Sequence, residues 1–267
     1  MNTICAFVLL MISAAAPPAT APIEEVKDAR TVLSEVAKAM GADGLKTLHY
    51  SGTGSSYIVT SGPVPAGGWP HSVMKSYIRD INLDTKTSRL QLVRVEGTPP
   101  VEKTLTHEVD ANSPWSSQYE FWITPYGFLK GATANTATVE SKTEFGTTYK
   151  TVAFTLPGGH TVVAYVNDKN LIEKVETKIG QTDGFVVEAL YRDYADFNGV
   201  KFPTLITEKH VPSRPNGELV TAEGKTHVSG SDAAQCWRHV RINWRVVEDK
   251  ATWRLERSLL GRSSLPR

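Results

Sequence analysis

Apolar residues recur along this chain with two different periods. Between Ile23 and Met40 the period is helical: Val26, Ala29, Leu33, Val36 and Met40 step by three and four and so share one face. Gly41 follows as a left-handed stop, which predicts a helix over Ile23–Met40. A helix with one apolar stripe has to bury that stripe against another element. From Leu48 onward the period changes to two, so the expected partner is a sheet.

The alternation predicts strands over Leu48–Thr60, Val73–Leu83, Arg89–Glu96, Val101–Val109, Thr138–Thr143, Thr147–Leu156, Thr161–Val166, Leu171–Ile179 and Phe185–Tyr194. A last hairpin turns at Asn198-Gly199 and ends near Val211; Asn-Gly supplies the two positive φ angles of a tight type I′ turn. In the second strand Val73, Tyr77, Ile81 and Leu83 share a face with Lys75 and Arg79, so that face is expected to be only partly buried. One short helix interrupts the meander: Thr124 is a good N-cap and Pro125 a good first residue for Pro125–Ala132. Many short strands after one helix predict an α+β fold, a large curved antiparallel half-barrel sheet packed around the N-terminal helix.

The two ends of the chain differ from this body. Ile4–Ile12 is a continuous apolar run followed by small residues, so residues 1–21 read as a signal peptide and the protein as periplasmic or secreted. The run is too short to span a bilayer. Its removal takes Cys5 and leaves Cys236, which allows neither an intrachain disulfide nor a cysteine metal site. The body is expected over 22–220 and a separate tail over 221–267. Ser231–Arg267 holds eight Lys and Arg against four Asp and Glu, and three of the six tryptophans. Ala233, Trp237, Val240, Trp244, Val247 and Ala251 step by four and three, so this tail is expected to be helical or irregular, without contact to a membrane surface. The net charge of +1 gives no electrostatic reason to expect nucleic acid as a partner.

Catalytic signatures are missing. No Gly-x-Ser-x-Gly elbow occurs, and Gly52-Thr53-Gly54 lacks the third glycine and the following helix of a dinucleotide loop. The seven histidines are never closer than 12 residues, so no local metal cluster forms and no cofactor is expected. Asp193 and Asp196 lie three apart, on opposite faces of a strand; Asp196 is expected to cap the turn and Asp193 to form a surface ion pair. Trp69, Trp122 and Phe128 are the candidate lining of an apolar ligand cavity.

Five segments together carry a family resemblance: GADGLKTLHYSGTGSSY, the loop with Trp69-Pro70 before MKSYIRDINLDTKTSRLQLVR, WITPYGFLKGA, VNDKNLIEKVET and YRDYADFNGVKFPTLI. Over about Met40–Glu208 the chain resembles the N-terminal, non-catalytic region of exported bacterial metallo-β-lactamase-fold hydrolases. The His-x-His-x-Asp-His motif of the zinc domain that follows in that family is not found here. The resemblance therefore implies an accessory domain of a truncated member, with a frame shift past about codon 220 as one origin of the tail. Its partners would be a hydrolase domain, another copy, or an apolar ligand. The Asp196–Pro203 hairpin is also similar to those of periplasmic lipoprotein carriers, which implies the alternative of a lipid or lipoprotein carrier. A hydrolase with a metal site built from distant histidines is the third alternative.

Overall fold

The computed structural model describes residues 28–59, 71–180, 185–212 and 235–241. In chain order these form α1 (Ala29–Met40), β1 (Thr47–Val59), β2 (His71–Asn82), β3 (Thr87–Glu96), β4 (Val101–Val109), α2 (Trp115–Trp122) and α3 (Pro125–Ala134). Then follow β5 (Ala137–Glu144), β6 (Thr147–Thr155), β7 (Thr161–Val166), β8 (Ile172–Ile179), β9 (Phe185–Phe197), β10 (Val200–Pro212) and β11 (Gln235–Arg241). All eleven strands belong to one sheet in the order β4-β3-β2-β1-β11-β10-β9-β8-β7-β6-β5, every described pairing being antiparallel. The sheet is open and curled, and the fold is α+β as the periodicity predicts.

The helix at the start is capped at both ends by its own sequence. The Asp28 carboxylate accepts from the Arg30 and Thr31 amides at 2.8 and 3.1 Å. Val32, Leu33, Val36 and Met40 are its buried residues. Gly41 ends it at φ 67°, and the Ala42 amide returns to the Ala37 carbonyl at 2.8 Å. Of the expected stripe, Val26 lies outside the described residues.

Asn198 and Gly199 adopt φ 56° and 92°, joining β9 to β10 with Phe197 paired to Val200. Asp196 caps this turn, accepting from the Gly199 amide at 2.8 Å. Asp193, expected to form an ion pair, instead sits at φ 55° with its carbonyl accepting from Thr204 Oγ1 at 2.7 Å. The turn is also where helix meets sheet. A Cβ on Gly41 would lie 1.8 Å from the Gly199 carbonyl oxygen, so α1 and the hairpin touch only because residue 41 has no side chain.

Three features depart from the periodicity. The register of β2 shifts between Met74 and Ser76, opposite a shift between Gly52 and Gly54 in β1. The bulge splits the expected shared face: Tyr77, Arg79 and Ile81 are buried, whereas Val73 is 49% exposed and Met74 takes the inner side. Second, the helix α2 has no side-chain N-cap: Pro114 precedes it, and nothing in its sequence announces a start. Third, the segment Gln235–Arg241, expected to be helical or irregular, is strand β11. It lies between β1 and β10 and pairs with both, Arg241 standing opposite Thr53 on one side and Leu205 on the other. The slot decides the conformation: a strand there satisfies backbone groups along two neighbouring edges at once, which outweighs a four-and-three spacing. The other positions of that spacing, Ala233, Trp244, Val247 and Ala251, lie outside the described residues, as do residues 1–27.

Part of the core beneath α2 and α3 is an aromatic cluster. Phe121 and Trp122 meet edge to face at 4.8 Å and Trp122 and Phe154 at 6.2 Å, while Phe128 and Phe154 lie tilted at 5.3 Å. Gly131 of α3 sits where a Cβ would lie 2.4 Å from the Phe154 ring, so the small residue sets how deeply the helix enters.

Candidate functional site

One opening among the described residues lies between α1 and α3. It is a cleft of about 1210 Å³, above the roughly 300–1,000 Å³ of ordinary small-molecule sites. One wall is α1 through Leu33, Ser34 and Ala37; the other is α3 through Tyr126, Leu129, Ala132 and Thr133. Leu45, Leu83 and Ala137 complete an apolar floor.

The walls are held apart and in place at one end. The Tyr126 hydroxyl lies 2.8 Å from the Met40 carbonyl and 2.8 Å from the Lys201 carbonyl, so one phenol ties together α3, the end of α1 and the start of β10. Burial pushes its pKa well above the usual phenol value, and nearby Asp196 adds to this, so the hydroxyl keeps its proton. Thr124 sets the start of α3, its Oγ1 accepting from the Gly127 amide at 3.1 Å.

Charge is confined to the rim, which carries Asp28, Arg30, Asp43, Lys46, Asp84 and Lys130. Lys130 donates to Asp84 at 2.9 Å, and this bond holds the Asp84 carboxyl below its ordinary range. Asp28 is likewise held low, first by the Thr31 hydroxyl and then by the Thr31 amide it caps. The lining contains no histidine or cysteine, and among the described residues no group of three or more His, Cys, Asp or Glu is placed to hold a metal ion.

Of the residues expected to line an apolar cavity, two can be placed. Trp122 and Phe128 are buried in the aromatic core, and neither borders the cleft. Trp69 lies outside the described residues. Trp115 opens α2, stacks on His160 at 4.2 Å and donates from Nε1 to the Lys178 carbonyl at 2.7 Å.

Sequence reasoning also missed a buried polar cluster under α2, although Arg79 on the same face as Tyr77 and Ile81 was its signal. Arg79 is 4% exposed, ion-paired with Glu120 of α2, and donates from Nη1 to the Glu120 carbonyl at 3.3 Å. Burial opposes its charge, but Tyr77, Tyr50, Glu120 and Glu208 outweigh that and keep it charged. Tyr191 donates to the Ile123 carbonyl at 2.5 Å, and His210 Nε2 stands 2.7 Å from Glu208 Oε1. The Arg79 and Tyr191 contacts fasten α2 and its C-terminal end to the sheet, while the His210–Glu208 contact lies within β10.

No family model matches the chain, and no curated protein does. The expected likeness to metallo-β-lactamase-fold hydrolases therefore finds no support there. Among solved structures, the chain is similar to a DUF1329 family protein from Desulfovibrio piger, with TM-score 0.43 and 8% identity over 84% of this chain and 95% of that one. It is similar to a LolA superfamily protein from Nitrosomonas europaea, with TM-score 0.41 and 10% identity over 82% and 94%. The third is a domain from Vibrio parahaemolyticus named for outer membrane lipoprotein sorting, with TM-score 0.41 and 10% identity over 82% and 93%. No helix among the described residues is long and apolar enough to cross a membrane.

Proposed function

We propose that this protein is a non-catalytic binding module of the bacterial envelope that takes up an apolar ligand between α1 and α3. The cleft carries this reading: an apolar floor below a charged rim is the form a site needs to shelter an apolar chain while its end stays in water. The envelope location rests on the apolar run at Ile4–Ile12. Native mass spectrometry of protein purified from a bacterial envelope tests it. The expected result is a co-purifying lipid or fatty acyl species that is lost in the Ala37→Trp variant, whose indole projects from the α1 wall into the cleft and obstructs it. Protein that emerges empty and takes up no acyl probe would end this reading.

A second reading, an accessory module whose surface serves a hydrolase domain or another copy, is favoured by one observation. The space between sheet and helices is filled by Val36, Met40 and Phe128, so the open volume lies between two helices instead of beneath them. Empty protein together with concentration-dependent self-association would favour this second reading.

A further inference from the structure

The described sheet ends at β5, and the hairpin that joins β5 to β6 fixes which of its backbone groups are spare. Glu144 and Thr147 close a two-residue turn in which Phe145 and Gly146 take φ 49° and 81°. In such a hairpin the closing pair exchanges both backbone bonds, and bonded and unbonded pairs alternate away from the turn. Glu144, Lys142, Glu140 and Thr138 therefore turn their amides and carbonyls toward β6, whereas Thr143, Ser141 and Val139 turn theirs outward. The Glu140 carbonyl indeed accepts from Thr151 Oγ1 of β6 at 3.2 Å. Among the described residues no strand pairs with the outward edge. Glu140, Ser141, Lys142 and Thr143 are exposed on it, and Phe145 beyond them is 85% exposed.

An incoming strand must set its own outward groups against these, and the charges then choose the register. Laid antiparallel against a second β5 and centred on Ser141, the strand places Val139 opposite Thr143 and, on the other face, Glu140 opposite Lys142 twice over. Centred on Glu140 it would bring two glutamates together, and centred on Lys142 two lysines. Among the described residues the Glu140 carboxylate enters no ion pair. Lys142 stands 2.9 Å from Glu144 and donates to the Tyr165 hydroxyl at 2.7 Å, with a further N–H to give. The opposite edge, β4, lacks this match: centred on Leu105 it sets Glu102 against Glu108.

We propose that β5 pairs with the β5 of a second copy of this chain, antiparallel about Ser141, so that two sheets join into one across a two-fold axis. In this register Phe145 of each copy stands beside Ala137 of the other, which gives the exposed ring a neighbour. The charges that keep other strands off an open edge are the ones that admit this partner. The joint is independent of the cleft, whose lining reaches no further along β5 than Ala137.

Sedimentation equilibrium of the full chain and its variants over a range of concentration tests this. The expected result is a monomer–dimer equilibrium that weakens with added salt. E140K sets lysine against lysine, and K142E glutamate against glutamate, at both symmetric contacts. Each alone should weaken the dimer by about tenfold, the scale of two exposed ion pairs. An equal mixture of E140K and K142E should recover it as heterodimers, because each chain then meets the opposite charge. S141P removes an outward N–H and no ladder bond of the monomer, and should abolish the dimer. Circular dichroism checks that each variant keeps the fold. Should K142E lose it, with the contacts to Glu144 and Tyr165, then E140K and S141P decide the matter. A chain that stays monomeric up to its solubility limit overturns the dimer, and self-association indifferent to S141P overturns the β5 joint. A dimer unmoved by E140K, or a mixture of folded E140K and K142E no tighter than its parts, overturns the register about Ser141.

Discussion

The interior beneath α2 and α3 and the cleft between α1 and α3 share a helix, yet one is filled and the other is open. On its inner side α3 presents Phe128 against Phe154, with Gly131 allowing the approach. Toward α1 it presents Leu129, Ala132 and Thr133, and α1 answers with Leu33, Ser34 and Ala37. Side-chain volume contributes to the difference: the rings of Phe128 and Phe154 close one side, while Ala37, Ala132 and Thr133 leave room on the other. A cavity of this kind is a choice of alanine where leucine would fit.

The contrast can be broken from the filled side first. Phe128→Ala removes a fully buried ring and should destabilise the protein by about 3–5 kcal/mol in urea unfolding, the cost of a large core cavity. A loss below about 1 kcal/mol would show that the interior is not packed as described. Next comes the joint that sets the end of the cleft. Gly41→Ala places a side chain at φ 67° and against the Gly199 backbone, for an expected loss of about 2 kcal/mol or more. An unchanged melting temperature would mean that α1 and the hairpin are not in contact.

Ala37→Trp tests the open side. Here the expected change in stability is small, within about 1 kcal/mol, because the indole enters a space the fold leaves free. Binding of a lipid or acyl species, read by native mass spectrometry, should nonetheless be lost. A collapse of stability to the level of Phe128→Ala would show the two regions to be alike. The smallest effect lies at the rim. The Lys130 bond holds the Asp84 pKa down, so the pair favours the folded state above the carboxylate's unfolded pKa, and this contribution disappears as pH falls through the folded value. Lys130→Ala should flatten that acid limb and let the Asp84 pKa rise toward its ordinary range, read by NMR titration. An unmoved Asp84 titration would contradict the contact.

Much of the fold was legible because it is local. Asn198-Gly199 dictates its turn by backbone sterics, Gly41 its helix end, and Thr124-Pro125 a helix start. Alternation located the ten strands from β1 to β10 to within a few residues. What was not legible depends on distant partners. The bulge in β2 reversed the side taken by Val73, and α2 begins without a cap. The site was harder still. Trp122 and Phe128 were reasonable candidates for an apolar lining, but large rings fill space, whereas the cleft is bordered by Ala37, Ala132 and Leu33, residues that look ordinary until α1 and α3 are placed side by side.

The position of β11 has a consequence in time. It is the last described strand of the chain, yet it stands in the middle of the sheet, between a four-stranded meander ending at β1 and a six-stranded one beginning at β10. Each meander can form from neighbours in sequence, but their union waits for residues 235–241, 176 to 188 positions after the β1 residues they meet. Until that segment arrives, two long edges stand open to any passing strand, another copy included. Assembly of the described sheet is thus a closure performed from the centre, and its moment of greatest exposure to aggregation comes just before β11 is seated.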